Sequence, residues 1–287
     1  MKLSILAIVW LALTVFNNSN AQINWYYDLD AAKSVAKYQN KFLLVDFRAS
    51  WCSPCIKMDF EVWNKERIVE LSEKFICVKV DVDYSTNVAN RFGINAIPRT
   101  MVIDIWDTRM LDRTGYIDKN QMENYLVEFP SDVSEVYVNI TKLESNKDDW
   151  EAALNAALAY QDLTEGINLH MLRGSLLRSS SSYFKKAQKI TKNNPVNYEK
   201  VSVYKALSKA HRNNPDKAIK ELDKLFETST GENKPLFQFA YCCSYTLKDD
   251  IQKANSYYNQ LVELENGKVL LTKLDQLLAE RRVSNNR

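Results

Sequence analysis

Strand-length apolar runs alternate with helical patterns in the first half of the chain, and this alternation stops at Pro130. Strand patterns cover 42–47, 75–82, 100–105 and 110–116, and helical patterns cover 28–39, 54–74, 88–92 and 118–128. Strands that alternate with helices in this way predict a mixed, partly parallel sheet flanked by helices. We therefore expect an α/β domain over residues 22–129.

After Pro130 the sequence is almost entirely amphipathic helix. Residues 216–225 are echoed at 252–261, and each copy follows another helical stretch. Paired helices at this offset are similar to a tetratricopeptide-like array, although Lys209 stands where an aromatic residue is expected. We interpret 130–149 as a linker and 150–287 as an all-α domain that is either tetratricopeptide-like or a generic helical domain.

The amino terminus has the pattern of a secretory signal peptide. Lys2 precedes an apolar run over 3–16, and small residues follow at Ser19 and Ala21. This pattern predicts a signal over 1–21 that is cut between Ala21 and Gln22, and hence an exported, periplasmic or secreted protein. The alternative is an uncleaved anchor, but about 14 apolar residues are few for a span that needs about 20.

Charge and cysteine content exclude two classes of protein. The 38 basic and 36 acidic residues nearly cancel, which argues against a nucleic-acid partner. Five cysteines are too few for a scaffold held by disulfides, and an odd number cannot all pair within one chain. The fold therefore depends on its apolar core.

Cys52 and Cys55 directly follow a predicted strand and open a predicted helix. Unpaired backbone N–H groups and the helix dipole at that position favour Cys52 as a thiolate. The two-residue spacing brings both sulfurs within bonding reach, and Pro54 fits the first helical turn. The pair is predicted to be a redox-active disulfide that needs no cofactor and no metal.

A zinc site is the alternative interpretation of this C-x-x-C pair, and it would need two more ligands. The candidates are Cys242, Cys243, His170 and His211, which all lie in the helical half. We expect both histidines to be helix-surface or partly buried residues. Adjacent Cys242 and Cys243 should point apart on their helix and serve packing, and Cys77 should be a buried strand residue.

Two segments resemble the thioredoxin family. In the run 45–55, VDFRASWCSPC, Trp51 precedes the first cysteine and Asp46 stands six positions upstream of it. The run 92–98, FGINAIP, resembles the family segment that ends in a cis-proline facing the active site. The resemblance covers about 25–129, and the helical insert 60–74 is similar to periplasmic members related to the C-terminal domain of the membrane thiol:disulfide interchange reductase. Ser53 and Arg99 depart from the thioredoxin pattern.

This resemblance implies a role for each matching residue. Cys52 would attack a substrate disulfide, and Cys55 would resolve the mixed disulfide after giving its proton to Asp46. Trp51, Ile97 and Pro98 would form the substrate-binding surface, with backbone at Ile97 pairing to an extended client. Asp46 could instead face solvent, but an aspartate within an apolar strand is costly to bury without a function.

The resemblance favours a reductase of protein disulfides over an oxidase or isomerase. Pro54 before the second cysteine, Asp46, and Ile97 before Pro98 are similar to the reducing branch of the family. In an oxidising compartment such an enzyme needs a membrane electron donor. A second hypothesis makes the helical half a protein-interaction scaffold that docks clients or a partner, with the redox domain as an accessory.

Overall fold

The computed structural model describes residues 22–264, 267–272 and 274–275, so the predicted signal segment 1–21 lies outside the described residues. The chain divides into two compact units, Met1–Ser131 and Asp132–Arg287. Within the described ranges, no helix combines the length and the apolar character needed to cross a membrane.

The first unit is a five-stranded mixed sheet flanked by helices. Its strands are β1 (Trp25–Tyr26), β2 (Phe42–Arg48), β3 (Phe75–Asp81), β4 (Arg99–Ile103) and β5 (Arg109–Thr114). Its helices are α1 (Leu29–Gln39), α2 (Ser53–Met58), α3 (Glu66–Ser72), α4 (Thr86–Phe92) and α5 (Lys119–Leu126), and a π-helical segment, Asp59–Trp63, continues α2. The strand order is β1-β3-β2-β4-β5, with β1 and β2 parallel to β3, and with β4 antiparallel to β2 and to β5.

Strand β2 is central and is buried on both faces. Leu43, Val45 and Phe47 pack with residues of α1 on one face. Because successive side chains of a strand point to opposite faces, Asp46 belongs to the other face, with Leu44. In the register of the sheet, Asp46 lies between Lys79 of β3 and Thr100 of β4.

Local sequence signals explain where the helices nearest the sheet begin and end. Asp28 caps α1 by accepting a hydrogen bond from the Ala31 backbone N–H at 2.8 Å, and Asn40 ends this helix in the left-handed conformation. Gly93 ends α4 with a φ of 62°, a value that glycine adopts without a Cβ clash. The chain can therefore turn sharply into the 94–98 segment.

The second unit is all-α, which confirms the predicted fold class. Its helices are α6 (Ser134–Ser145), α7 (Trp150–Asp162), α8 (His170–Ile190), α9 (Pro195–Ala210), α10 (Pro215–Glu227), α11 (Lys234–Leu247) and α12 (Ile251–Val262). Asn194 and Asn214 cap α9 and α10, and each is followed by a proline in the first turn. The assignment to a tetratricopeptide array stays a prediction.

The structure differs from the sequence interpretation in the segment 130–149, which was expected to be a linker. Helix α6 occupies most of that segment, and its Val136, Tyr137 and Ile140 are buried. Polar residues such as Asn139 and Lys142 interrupt its apolar pattern, so the segment resembles a linker although its apolar stripe packs like that of any amphipathic helix.

Candidate active site

Cys52 and Cys55 form a disulfide at the start of α2, with their Cα atoms 5.3 Å apart. Cys52 is the N-cap residue of this helix, and its sulfur accepts a hydrogen bond from the Cys55 backbone N–H at 3.2 Å. The exposed fractions of the two residues are 4% and 2%. A sulfur at the N-cap faces backbone donors that stabilise negative charge, so the geometry favours Cys52 as the thiolate once the bond is reduced.

Asp46 is 2% exposed, and its Oδ1 atom has no hydrogen-bond partner. The pKa of this carboxyl is raised from 3.8 to about 7, chiefly by burial and also by nearby Asp59, while Lys79, Arg48 and the Trp63 side chain lower it in part. A carboxyl with a pKa near neutrality exchanges its proton readily at physiological pH. Asp46 is therefore equipped as a proton acceptor, the role that the family resemblance implies.

Asp59 forms ion pairs with two cations that also act on Asp46. Its Oδ1 lies 2.5 Å from Lys79 Nζ, and its Oδ2 lies 3.0 Å from Arg48 Nη2. Both cations thus have a carboxylate partner in Asp59, while Oδ1 of the buried Asp46 has none. Sequence reasoning missed this cluster, although Asp59 stands one helical turn after Cys55 and Lys79 lies on the neighbouring strand.

The Ile97–Pro98 peptide bond is cis, as the resemblance of the run 92–98 to the family segment implies. Ile97 packs against the small cluster of Ala49, Cys52 and Cys55. The Pro98 carbonyl accepts a hydrogen bond from the Gly115 backbone N–H at 2.7 Å. The structure therefore brings Ile97 to the cysteine pair and places Pro98 directly before the first residue of β4.

Trp51 is 66% exposed and lies directly before the first cysteine. Its Nε1–H donates a hydrogen bond to Asp83 Oδ2 at 2.8 Å. This bond fixes the orientation of an aromatic ring that stands in solvent beside the disulfide. Asp83, which sequence reasoning did not select, follows the end of β3.

The remaining cysteines and both histidines lie apart from this site in the sequence. Among the described residues, these three cysteines are unbonded. Cys77 is buried in β3, and burial raises the pKa of its thiol to about 12. His170 is exposed at the start of α8. His211 follows α9, where burial and Arg173 lower its pKa to about 4. Each is placed as expected for a residue without a redox role.

Comparisons with known proteins match the first unit. A family model described as thioredoxin-like matches residues 24–104. Thioredoxin H4 of Arabidopsis thaliana is 40% identical over 108 residues, which cover 36% of this chain and 81% of that protein. A thioredoxin of Mycoplasmoides gallisepticum is 36% identical over 88 residues, which cover 30% of this chain and 83% of that protein.

Among solved structures, the C-terminal domain of DsbD from Neisseria meningitidis in the oxidised form aligns with a TM-score of 0.33 and 17% identity. This alignment covers 37% of the present chain and 98% of that one. A thioredoxin fold with a bonded C-x-x-C pair at the start of a helix is the arrangement of a thiol:disulfide oxidoreductase. Because this chain is 40% identical to thioredoxin H4 over 81% of that protein, it belongs to the thioredoxin family.

Proposed function

We propose that this protein is an exported thiol:disulfide oxidoreductase that reduces disulfides in client proteins. The observation that carries the proposal is the Cys52–Cys55 disulfide at a helix start, with a buried Asp46 whose pKa is raised to about 7 on the preceding strand. Export is supported by the basic and apolar pattern of residues 1–21.

The reaction transfers two electrons from the dithiol to the client. The Cys52 thiolate attacks one sulfur of the client disulfide; that bond breaks, a Cys52–client disulfide forms, and the released client sulfur takes a proton. Asp46 then accepts the proton of Cys55, and the Cys55 thiolate attacks Cys52. The second client sulfur leaves as a thiolate and takes a proton, and the Cys52–Cys55 disulfide remains.

The enzyme must then be reduced again before the next turnover. In an oxidising compartment, we propose a dithiol of a membrane electron donor as the reductant. The reducing direction is supported by Pro54 and by Ile97 before Pro98, since these residues resemble the reducing branch of the family.

Trapping tests the exchange reaction. Cys55→Ser leaves the attacking thiol without its resolving partner, so mixed disulfides between Cys52 and clients should accumulate in the native compartment. Cys52→Ser is the matched control and should trap none. Recovery of no mixed disulfide with Cys55→Ser would contradict the proposal.

A redox titration tests the direction separately. A reductase should have a potential near the thioredoxin value of about −270 mV, and a value near −120 mV would identify an oxidant instead. The titration uses the full chain in glutathione or dithiothreitol buffers, and the bonded fraction is read by alkylation and mass.

A second candidate function, docking of client proteins, is favoured by a groove in the helical unit. The groove encloses about 650 Å³ between α6, α7, α9 and α11, and Val138, Leu158 and Phe239 contribute apolar surface to it. A client identified by trapping should still bind the Cys52→Ser, Cys55→Ser double variant and should be released by Val138→Glu. If the double cysteine variant lost the client and Val138→Glu retained it, these results would contradict the docking function.

A further inference from the structure

Two arginines hold the segment that leads to the cis-proline. Arg99 Nη1 donates to the Gly93 carbonyl at 3.2 Å, and Arg109 Nη2 donates to the Phe92 carbonyl at 2.7 Å. These carbonyls lie where α4 ends and the segment 93–98 begins. Both guanidinium groups therefore form hydrogen bonds with the backbone at one end of that segment.

Asp112 of the edge strand β5 connects the two arginines. Arg99 binds it through two bonds, from Nε at 2.7 Å and from Nη2 at 2.8 Å, and Arg109 Nη1 lies 3.1 Å from Oδ2. The Arg99 and Asp112 side chains are 15% and 26% exposed, so solvent screens this pair only in part. A planar guanidinium can hold a carboxylate with two parallel donors and a carbonyl with a third, whereas a lysine ammonium lacks this planar fork.

The opposite end of the segment is also held. Gly115, which follows β5, donates its backbone N–H to the Pro98 carbonyl at 2.7 Å. The segment 93–98 is thus held at one end by Arg99 of β4 and at the other by Gly115 after β5, and Ile97 inside it packs against the cysteine cluster. Client recognition by strand-like pairing requires the backbone at Ile97 to be ordered before binding.

We propose that Arg99, oriented by Asp112, is a positioning residue that fixes the segment 93–98 for recognition of extended protein clients. The inference rests on the proposed reductase function and deepens it, because it separates recognition of the client chain from the sulfur chemistry. Arg99 acts through the backbone that it holds and contributes no atom to the reaction.

The test compares two disulfide substrates with the full chain and its Arg99→Ala variant. Insulin presents a polypeptide that can pair with backbone, whereas 5,5′-dithiobis(2-nitrobenzoate) is a small disulfide without a peptide backbone. For Arg99→Ala, the KM for insulin should rise about tenfold with kcat within about twofold, and the rate with the small disulfide should change by less than about twofold. Arg99→Lys, which keeps the charge, should give a KM between those of the other two proteins.

Arg91→Ala is the matched control. Arg91 lies on α4 and pairs with Asp107 and Asp30. This variant removes both ion pairs of an arginine on the helix that precedes the segment 93–98, and it should leave the KM for insulin unchanged. Amide hydrogen exchange of residues 93–98 supplies a second measurement and should be faster in Arg99→Ala than in Arg91→Ala.

Three results would overturn the inference. If Arg99→Ala lowered the rates with insulin and with the small disulfide equally, Arg99 would act in the chemistry or in overall stability. If the KM for insulin were unchanged in both Arg99 variants, Arg99 would have no role in recognition. If the unmodified protein reduced neither substrate, the proposed function would fail and this inference with it. The second of these results, obtained with an unmodified protein of normal activity, would overturn only the inference.

Discussion

The chain contains two pairs of neighbouring cysteines, and their surroundings differ in ways that decide their chemistry. Cys52 and Cys55 start a helix and are bonded to each other, whereas Cys242 and Cys243 lie within α11 and are unbonded. Burial raises the pKa of the Cys242 thiol to about 11 and raises that of Cys243 as well. Burial by itself does not separate the pairs, because Cys52 and Cys55 are also buried.

Position on the helix is what separates them. At a helix start, unpaired backbone N–H groups face the sulfur and stabilise a thiolate. In the interior of α11 the backbone N–H groups are used within the helix, and adjacent residues project about 100° apart. Cys52 and Cys55 can therefore cycle between dithiol and disulfide, whereas Cys242 and Cys243 pack in the core of the helical unit.

Loss of the first cysteine should have the largest effect. Cys52→Ser removes the attacking sulfur, so insulin reduction should fall to the uncatalysed rate. Cys242→Ser and Cys243→Ser are the controls and should retain activity within about twofold, because neither sulfur takes part in exchange. Abolished activity in either control would break the distinction between the pairs.

The second-largest effect should be a difference in alkylation rate between Cys52 and the two cysteines of α11. In the reduced native protein at pH 8, iodoacetamide should modify Cys52 at least about 100-fold faster than Cys242 or Cys243, since thiolate is the reactive form and burial suppresses it in α11. Peptide mass spectrometry of quenched samples measures this ratio. All five cysteines should react alike in denaturant, and similar rates in the native protein would contradict the account.

Asp46→Asn should make Cys55 behave more like the buried thiols of α11. Without a carboxylate to accept its proton, the resolving step above pH 7 should slow by about tenfold, measured by stopped-flow release of the client thiol. In the unmodified protein, this step should accelerate as the pH rises through about 7. The control Asp104→Asn changes a buried carboxylate that accepts from the Trp106 and Thr108 backbone N–H groups, and it should leave the step unchanged.

The same substitution should change the dependence of stability on pH. The folded-state pKa of about 7 lies above the ordinary value of 3.8, so the folded state binds more protons between those values, and the free energy of unfolding decreases as the pH rises. Removal of this carboxyl should stabilise the protein at pH 8 relative to pH 4, by up to roughly 4 kcal/mol. Urea unfolding at both pH values measures the difference, and an equal effect of Asp46→Asn at both would contradict the assigned pKa.

The smallest effect should come from packing in α11. Cys243 is fully buried, so Cys243→Ser places a hydroxyl among apolar side chains and should lower the free energy of unfolding by about 1–3 kcal/mol. Cys243→Ala, which adds no polar group, separates the cost of the hydroxyl from that of lost volume. An unchanged urea midpoint for Cys243→Ser would show that this thiol does not contribute to the core.

Local patterns were enough to predict the alternation that forms the sheet and the cysteine pair at a helix start, and the family resemblance implied the cis bond at Pro98. The local patterns did not show that the segment 130–149, interpreted as a linker, carries α6, a helix with buried apolar residues. The cluster of Asp59, Arg48 and Lys79 depends on strand register and on the path of the π-helical segment, which set distances between residues far apart in sequence. The contact of Arg99 with Gly93 was likewise invisible, because the return of the chain from α4 to β4 creates it.

A map of disulfides across redox buffers tests the central claim most directly. The full chain is equilibrated with mixtures of oxidised and reduced dithiothreitol, its thiols are alkylated in denaturant, and the bonded cysteines are identified by mass spectrometry. We predict a single two-electron couple between Cys52 and Cys55, with Cys77, Cys242 and Cys243 alkylated as thiols at every potential. A couple that includes any of those three cysteines, or a Cys52–Cys55 bond that never opens, would contradict the account.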